Sequence, residues 1–401
     1  MKKTNILKEA EEIRSELIFW RRYLHEHAET GFGLGTTLKF VQEELEKMGY
    51  AVERCGKSGL VATVSATKGK TFLLRADMDA LPIAEKTEEP FACKTGNMHA
   101  CGHDMHTAML LGGAKLLKKH EKELEGCVKL LFQPAEELLE GAKDCIANGV
   151  LKNPEVNGGI MLHVMTDVPF PAGTAIVSSA GGSAPAADYF RIEVRGKSCH
   201  GSAPWNGVDA LTVAAHTVLA LQEIPAREIS LATPAVLTIG SMQAGTAGNV
   251  VADSAVLEGT LRAFDEETRE NIKKRLSEIS ERVAKAFRAK AVVRFGGGCP
   301  TLVNDGELSA FAEKSARELL GGNAVFTSVA LSGGATRKSG GSEDFAYISH
   351  EVPSVMIALA AGETEKGYRY PLHHPKARFD ESALSVGAAL YAHIAIEWLK
   401  G

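Results

Sequence analysis

The densest set of side chains that could carry chemistry lies between His99 and His106. The segment reads HACGHDMH, so three histidines, a cysteine and an aspartate fall within eight residues. Imidazole, thiolate and carboxylate are the ligands that borderline metal ions such as zinc prefer. The alternative is a polar loop leading into a helix, with Asp104 as its cap. Because histidines rarely cluster so tightly by chance, the pattern favours a metal site.

Three further polar segments directly follow or end apolar stretches that resemble buried strands: RADMDALP (75–82), QPAEE (133–137) and His163. A fourth, LHHP (372–375), lies on the loop between the last predicted strand and the last predicted helix. Each has an ordinary explanation by itself, such as an aspartate-rich turn, a solvated helix start or a structural histidine. In open α/β sheets, however, ligands bind where parallel strands end. We therefore expect these segments to meet the histidine cluster at one edge of a sheet.

Hydrophobic periodicity predicts the elements that would position these residues. Short apolar runs predict strands at 60–66, 72–76, 128–132, 159–164 and 354–360, and helical spacing predicts helices at 6–24, 36–48, 104–120, 138–148, 306–320 and 380–399. Strands that alternate with helices indicate a largely parallel sheet covered by helices. The fold class is therefore α/β.

A different pattern begins near residue 188 and predicts a small inserted α+β unit. Its predicted strands are 190–196, 234–242, 254–264 and 291–296, and its predicted helices are 207–223 and 266–288. We therefore expect one domain at 1–187 and 303–401, interrupted by a second at 188–302. The inserted segment contains CHGSAP (199–204), GTAGNV (245–250) and GTLR (259–262), which by themselves are ordinary turn and strand sequences.

Composition excludes several functional classes. The 401 residues contain 45 Lys and Arg against 50 Asp and Glu, a net charge of −5. That balance argues against a nucleic-acid binder with a basic face. No apolar run approaches the roughly 18 residues of a membrane span, and the first 20 residues lack a signal-peptide core. Seven scattered cysteines do not suggest a disulfide framework. We expect a cytoplasmic protein without nucleic-acid or membrane partners.

Taken together, the motifs resemble those of a known enzyme family. In chain order they are ADMDALP, HACGHDMHTA, FQPAEE, His163, CHGSAP, GTAGNVV, GTLRAF, GSEDFAY and LHHP. This order is similar to that of metal-dependent N-acyl-amino-acid amidohydrolases, which include hippurate hydrolases, bacterial aminoacylases and plant auxin-conjugate hydrolases. They form a branch of the carboxypeptidase G2-like metallopeptidases. The resemblance extends from RRYLHEHAETGF (21–32) to the last predicted helix.

The resemblance implies a zinc-peptidase-like catalytic domain, an inserted dimerisation or lid domain, and two divalent metal ions per subunit (Zn, Mn, Co or Ni). It implies that the metal ligands are Cys101, His103, Glu137, His163 and His373. The LHxP spacing of the family selects His373 over the adjacent His374. Glu136 then resembles the general base, and Asp79 the carboxylate that orients the site. Substrate contacts are implied for His200, Asn249, Arg262 and Gly341, with His200 acting in the partner subunit's site.

The implied reaction is hydrolysis of the amide bond of N-acyl-L-amino acids by a homodimer or larger homo-oligomer. Short peptides are the alternative substrates, with a dipeptidase, aminopeptidase or carboxypeptidase using the same two-metal site. A metal-binding dimer without catalysis is a third hypothesis. The presence of both Asp79 and Glu136 beside the ligands argues against it, because an inactive relative has no need for a general base.

Overall fold

A computed structural model describes residues 4–65, 69–331 and 340–401 of the protein. Contacts divide them into two compact units. The first contains the described residues of Met1–Gly181, Val303–Arg337 and Asp344–Gly401, and the second those of Gly182–Leu302 and Lys338–Glu343. Within these described ranges, we find no helix with the length and apolar character needed to cross a bilayer.

The strands are β1 (Val52–Cys55), β2 (Gly59–Ser65), β3 (Thr71–Asp77), β4 (Cys127–Gln133), β5 (Gly158–Met165), β6 (Ala175–Val177), β7 (Gly181–Ala184), β8 (Ala186–Arg195), β9 (Cys199–His200), β10 (Ala235–Ala244), β11 (Val250–Val251), β12 (Ser254–Ala263), β13 (Lys290–Cys299), β14 (Leu302–Asn304), β15 (Val325–Thr327) and β16 (Ser354–Ala360). The helices are α1 (Thr4–Glu12), α2 (Arg14–Glu26), α3 (Gly35–Lys47), α4 (His103–Lys119), α5 (Gly141–Ala147), α6 (Ala210–Leu221), α7 (Glu266–Ala286), α8 (Gly306–Leu320), α9 (Ser328–Leu331), α10 (Ala346–Ser349) and α11 (Ala383–Leu399).

The first unit is built on an eight-stranded mixed sheet in the order β1-β2-β4-β3-β5-β16-β6-β15. Its central strands β4, β3, β5 and β16 are parallel, whereas β1 and β2 pair antiparallel with their neighbours. Strand β6 is antiparallel to β16 and parallel to β15. All seven residues of β3 are buried, as expected of a central parallel strand covered on both faces. The predicted α/β class with a largely parallel, mixed sheet is confirmed.

The last helix of the first unit, α11, is anchored to the middle of this sheet. It packs against α4, and the hydroxyl of its fully buried Tyr391 donates a hydrogen bond to the carbonyl oxygen of Arg75 in β3 (2.6 Å). The same hydroxyl accepts a hydrogen bond from the backbone N–H of Leu162 in β5 (3.1 Å). The helix therefore connects the two strands that lead into the polar segments described below.

The structure corrects two of the predicted elements and describes a third in part. The single helix predicted at 6–24 is two helices that meet at Ile13. The helix predicted at 138–148 begins only at Gly141, because Ala135 and Leu139 adopt left-handed backbone angles (φ 53° and 56°) that interrupt helical winding. The strand predicted at 60–66 is observed to Ser65 and its last residue lies outside the described ranges. The short strands β1, β6 and β15 were not predicted.

The second unit has an antiparallel four-stranded sheet in the order β10-β12-β8-β13. One face is covered by α6 and α7, whose first turns are capped by the side chains of Asp209 and Asp265. Its core consists of alternate strand residues and the helix residues that face them, among them Phe190, Ile192, Leu257, Leu261, Ile272 and Leu276. The glycines after Phe295 do not end the last strand but form a bulge within it.

Candidate active site

The predicted metal ligands of the first unit lie together at the carboxyl edge of the parallel strands. Strand β3 leads to Asp79, and β4 leads to Glu136 and Glu137. Strand β5 carries His163 near its end, and His373 lies on the loop after β16. Neighbouring parallel strands end at the same edge, so the chain must bring these residues together. The turn before α4 supplies Cys101, and the helix itself begins at His103.

The candidate ligand atoms form two groups that share the sulfur of Cys101. One group joins Cys101 to His103 and His163, and the other joins it to Glu137 and His373, with all atoms of each group within 4.8 Å of one another. Cys101 Sγ lies 3.6 Å from His163 Nε2 and 3.3 Å from His373 Nε2. His373 Nε2 lies 3.4 Å from Glu137 Oε1. One sulfur shared by two groups is an arrangement that can accommodate a pair of ions.

Of the two adjacent histidines in LHHP, the structure brings His373 to this cluster. The backbone N–H of His373 donates to the carbonyl oxygen of Ala100 (2.9 Å), which ties the loop beside Cys101. His374 instead stacks on Tyr370, with ring centroids 4.5 Å apart. The geometry therefore agrees with the spacing argument that selected His373.

His103 provides the test of whether a cation fits. Its Nδ1 donates to the carbonyl oxygen of Asp79 (2.7 Å), which fixes the ring, while Nε2 is buried and makes no hydrogen bond. A buried polar atom without a partner is costly, and a metal ion would satisfy it. The turn that aims this ring needs Gly102 (φ 85°), because a Cβ there would lie 2.4 Å from a methyl group of Val164. The donor set and the unsatisfied nitrogen both fit a divalent ion.

The electrostatics of the cluster favour cation binding. Burial lowers the pKa of His103, but the Asp77 carboxylate and the Cys101 sulfur outweigh burial and raise it well above its usual value. Burial raises the pKa of the Cys101 thiol above its usual range. Burial, together with His103 and His163, lowers the pKa of His373. Without a cation, His103 and Cys101 therefore hold protons that a bound ion would displace, whereas the His373 ring is neutral.

Asp79 holds the backbone beneath the two glutamates. Its carboxylate oxygens accept hydrogen bonds from the N–H groups of Glu136 (2.9 Å) and Glu137 (3.2 Å), and Asp79 itself is fully buried. Glu136 is 6% exposed, and its Oε2 lies 4.0 Å from His103 Nε2. Glu137 Oε1 lies 3.9 Å from the same nitrogen. Both carboxylates of the pair thus reach the cluster.

Asp77 and His106, for which the sequence predicts no role of their own, form a buried layer behind the ligands. Asp77 Oδ1 accepts from His106 Nδ1 (2.5 Å), and Asp77 Oδ2 accepts from Arg75 Nη1 (2.7 Å). His106 Nε2 accepts from the N–H of Val164 (2.8 Å), so the ring is neutral. Burial lowers the pKa of His106 to about 4, consistent with that state. The signal in the sequence was the presence of Arg75 and Asp77 on the otherwise largely apolar strand β3, because buried charges need partners.

The four substrate residues predicted outside the metal cluster lie in the second unit, as two pairs. The carbonyl oxygen of Asn249 accepts from the N–H of Gly201, directly after His200 (2.7 Å). Arg262 Nη1 donates to Ser342 Oγ (2.5 Å), directly after Gly341. His200, Asn249 and Gly341 are exposed, and Arg262 is half-buried.

Comparison with known proteins agrees with this geometry. Residues 73–397 match the family described as peptidase family M20/M25/M40. The chain is 36% identical over 388 residues to an N-acetylcysteine deacetylase of Bacillus subtilis, covering 95% of this chain and 96% of the relative. It is 35% identical over 394 residues to thermostable carboxypeptidase 1 of Saccharolobus solfataricus, covering 96% of each.

A solved structure extends the similarity to the fold. It is a Bacillus subtilis protein described as a dinuclear metal binding peptidase from the M20 family, which is 32% identical with a TM-score of 0.80. The match covers 97% of this chain and 99% of that protein. The resemblance that the motifs indicated is confirmed: this chain belongs to peptidase family M20/M25/M40 and is an enzyme that acts on amide bonds.

Proposed function

We propose that the enzyme hydrolyses the amide bond of N-acyl-L-amino acids, releasing a carboxylic acid and an amino acid, with two divalent ions bound in the first unit. The observation that carries this proposal is the shared sulfur of Cys101 between two ligand groups, next to the glutamate pair held by Asp79. The similarity to an N-acetylcysteine deacetylase supports an N-acyl-amino-acid substrate.

Five side chains would hold the ions: Cys101, His103, Glu137, His163 and His373. When bound, divalent ions supply a lowered pKa for water and polarisation of the acyl carbonyl. Glu136 accepts the proton of the attacking water and returns it to the leaving amine, the two tasks of a general acid–base group. Asp79 keeps Glu136 in place by accepting the hydrogen bond of its backbone N–H (2.9 Å).

The second unit supplies recognition in this proposal, through Arg262, Asn249, Gly341 and His200. Arg262 carries a permanent forked charge that suits the α-carboxylate of the amino-acid half. His200 stabilises the developing oxyanion in the partner subunit's site of a homodimer. The His200 ring is exposed, and its Nδ1 is oriented by Ser202 Oγ (2.7 Å). An exposed ring with a fixed orientation supports a contact with the partner subunit's site.

A peptidase is the second candidate, and the similarity to thermostable carboxypeptidase 1 supports it. Hydrolysis of N-acyl amino acids and carboxypeptidase activity both use a substrate with a free α-carboxylate, so Arg262 does not distinguish them. The group on the acyl side of the amide bond distinguishes a dipeptidase or aminopeptidase, because these enzymes must accommodate a free amine that an N-acyl amino acid lacks.

The test is to strip the enzyme with a chelator and reload it separately with Zn, Mn, Co or Ni. Activity is then measured on N-acetyl and N-benzoyl amino acids, unblocked dipeptides and N-blocked peptides. We expect no hydrolysis without metal and the highest kcat/KM on N-acyl amino acids after reloading. Full activity of rigorously metal-free protein would overturn the mechanism, and preference for unblocked dipeptides or N-blocked peptides would assign the enzyme as a peptidase.

A further inference from the structure

The turn that carries the two glutamates, residues 134–140, has an unfavourable backbone conformation. Ala135 and Leu139 both have positive φ angles, 53° and 56°, which residues with a side chain rarely adopt. The turn closes tightly, because a Cβ on Gly141 would lie 1.6 Å from the carbonyl oxygen of Pro134. Such a conformation persists only when the surrounding structure determines it.

One buried carboxylate, that of Asp344, holds both ends of this turn. Asp344 Oδ1 accepts from Gln133 Nε2 (2.7 Å), directly before the turn, and Oδ2 accepts from the N–H of Ala142 (2.8 Å), directly after it. Oδ1 also accepts from Arg75 Nη2 (2.9 Å). Asp344 and Arg75 are both fully buried. Three donors converge on this group, so an amide, which replaces one oxygen by a donor, cannot satisfy them.

The connections of Arg75 extend this arrangement to the metal cluster. Its Nη1 donates to Asp77 (2.7 Å), and its Nε donates to Gln133 Oε1 (2.9 Å). Asp77 in turn lies 3.8 Å from His103 Nε2. The guanidinium of Arg75 therefore bonds both to the residues at the ends of the turn, Gln133 and Asp344, and to Asp77 behind His103.

We propose that Asp344 is a positioning residue: by fixing both ends of the turn at 134–140, it places the side chains of Glu136 and Glu137 toward the ligand cluster. Asp79 holds the middle of the turn, and Asp344 prevents the two left-handed residues from relaxing. The proposal rests on the proposed function only for the roles of the two glutamates. It predicts that loss of this carboxylate loosens the turn and weakens metal retention.

The test compares Asp344→Asn with Asp144→Asn in the full-length holoenzyme and in stripped protein. Asp144 is the matched control, because it is a carboxylate on α5 that likewise accepts a hydrogen bond from a backbone N–H, that of Lys57 (2.7 Å), away from the turn. A carboxylate oxygen of Asp344 lies within 4.8 Å of one of Glu136, so the rate alone could report a change of charge. Hydrogen exchange of the amides of 135–142 is therefore the primary measurement.

We expect Asp344→Asn to accelerate exchange of these amides about tenfold or more and to weaken metal retention against graded chelator by about 10–100-fold, the usual size of such effects. Its kcat should fall more than its KM changes. Asp144→Asn should resemble the wild type in all three measurements. Unchanged exchange and metal retention in Asp344→Asn would overturn the proposal, as would equally faster exchange throughout the protein, which indicates a general stability role.

If Asp344→Asn does not fold, Gln133→Met removes one of the three donors without leaving an unpaired carboxylate. The same local increase in exchange, but smaller, is expected, and no local increase would overturn the proposal. A wild-type enzyme that hydrolyses no substrate of the panel would refute the proposed function alone, because exchange and metal retention test the turn independently of turnover.

Discussion

The two groups of candidate functional residues differ in how tightly they are held. In the first unit, His103, Asp79 and Glu136 are at most 6% exposed, and each is fixed by a backbone hydrogen bond. In the second unit, His200 and Asn249 are exposed and lie at the short β9–β11 pairing. The residues of the first unit are therefore organised before any substrate arrives, whereas those of the second unit are accessible to a substrate or to another protein surface.

The difference indicates how the two tasks are divided. Chemistry on an amide bond needs groups placed to within a fraction of an ångström, which buried hydrogen-bonded side chains on strand ends provide. Recognition of different acyl groups does not need such precise placement and can be carried out by exposed residues. We therefore expect substitutions in the first unit to affect turnover or metal content, and those of Asn249 and Arg262 in the second to affect substrate use. His200 is the exception, because its proposed role is in catalysis.

The largest expected effect separates the two glutamates. Glu136→Gln should keep the metal content but lose about 10²–10⁴-fold in kcat, the usual cost of a lost general base. Glu137→Ala should instead lower metal occupancy, because it removes a ligand. Elemental analysis beside steady-state kinetics checks both variants. The opposite pattern would show that the two roles are exchanged.

The next largest expected effect is on stability, because the ion pairs of the first unit include buried ones, whereas the pair compared with them in the second unit is exposed. Asp104, fully buried, accepts from Arg21 Nε (2.7 Å) and lies 2.8 Å from His25 Nδ1. Asp104→Asn should lower the free energy of unfolding of metal-free protein by about 3–5 kcal/mol in urea titrations, because it breaks a buried ion pair and leaves Arg21 and His25 with only Glu381 and Glu85 as carboxylate partners. In the second unit, the Arg191–Glu258 pair is about half exposed, so Glu258→Gln should leave the urea midpoint unchanged.

The pH dependence of that effect follows from the pKa of Asp104. Burial raises it, but Arg21 and His25 outweigh burial and lower it below its usual value. The carboxylate therefore stabilises the fold fully above its unfolded pKa of about 3.9, and the contribution is lost as the pH falls below that value. The difference in the free energy of unfolding between wild type and Asp104→Asn should shrink as the pH falls below about 3.9; a constant difference down to pH 3 would contradict this assignment.

The smallest expected signal tests whether the second unit acts on a partner. Subunits with His200→Ala and subunits with Glu136→Gln should each be inactive, and mixing them should restore activity. A mixed dimer contains one site with both wild-type residues and one with neither. Recovery should therefore approach half of the wild-type rate per mixed dimer. No recovery despite demonstrated subunit exchange would place His200 in its own chain's site or outside catalysis.

Much of the architecture could be predicted because it depends on local patterns. Apolar runs located β3, β4, β5 and β16, and the polar residues after them identified the edge where the candidate ligands meet. The roles of individual ligands came from resemblance to a family, not from spacing. The sequence alone contains no pattern that distinguishes Glu136 from Glu137.

The parts that were missed depend on contacts between distant residues. Helical spacing at 138–148 predicted a helix, but Gln133 and Ala142 bond to Asp344, about 200 positions later in the chain. Those bonds stabilise left-handed angles at Ala135 and Leu139 that local propensity disfavours. Likewise, Asp77 and His106 lay within recognised motifs, but their mutual hydrogen bond could be seen only after folding.

The central position of β16 has a consequence for synthesis of the protein on the ribosome. In the finished sheet this strand lies between β5 and β6, which are made roughly 180 to 190 residues earlier. Until residues 354–360 emerge, the facing edges of β5 and β6 lack β16 as a partner, whereas all four strands of the second unit's main sheet have already been made. The nascent chain thus passes through a stage in which the sheet of the insert can form while the main sheet is still open, and its unpaired strand edges then favour aggregation.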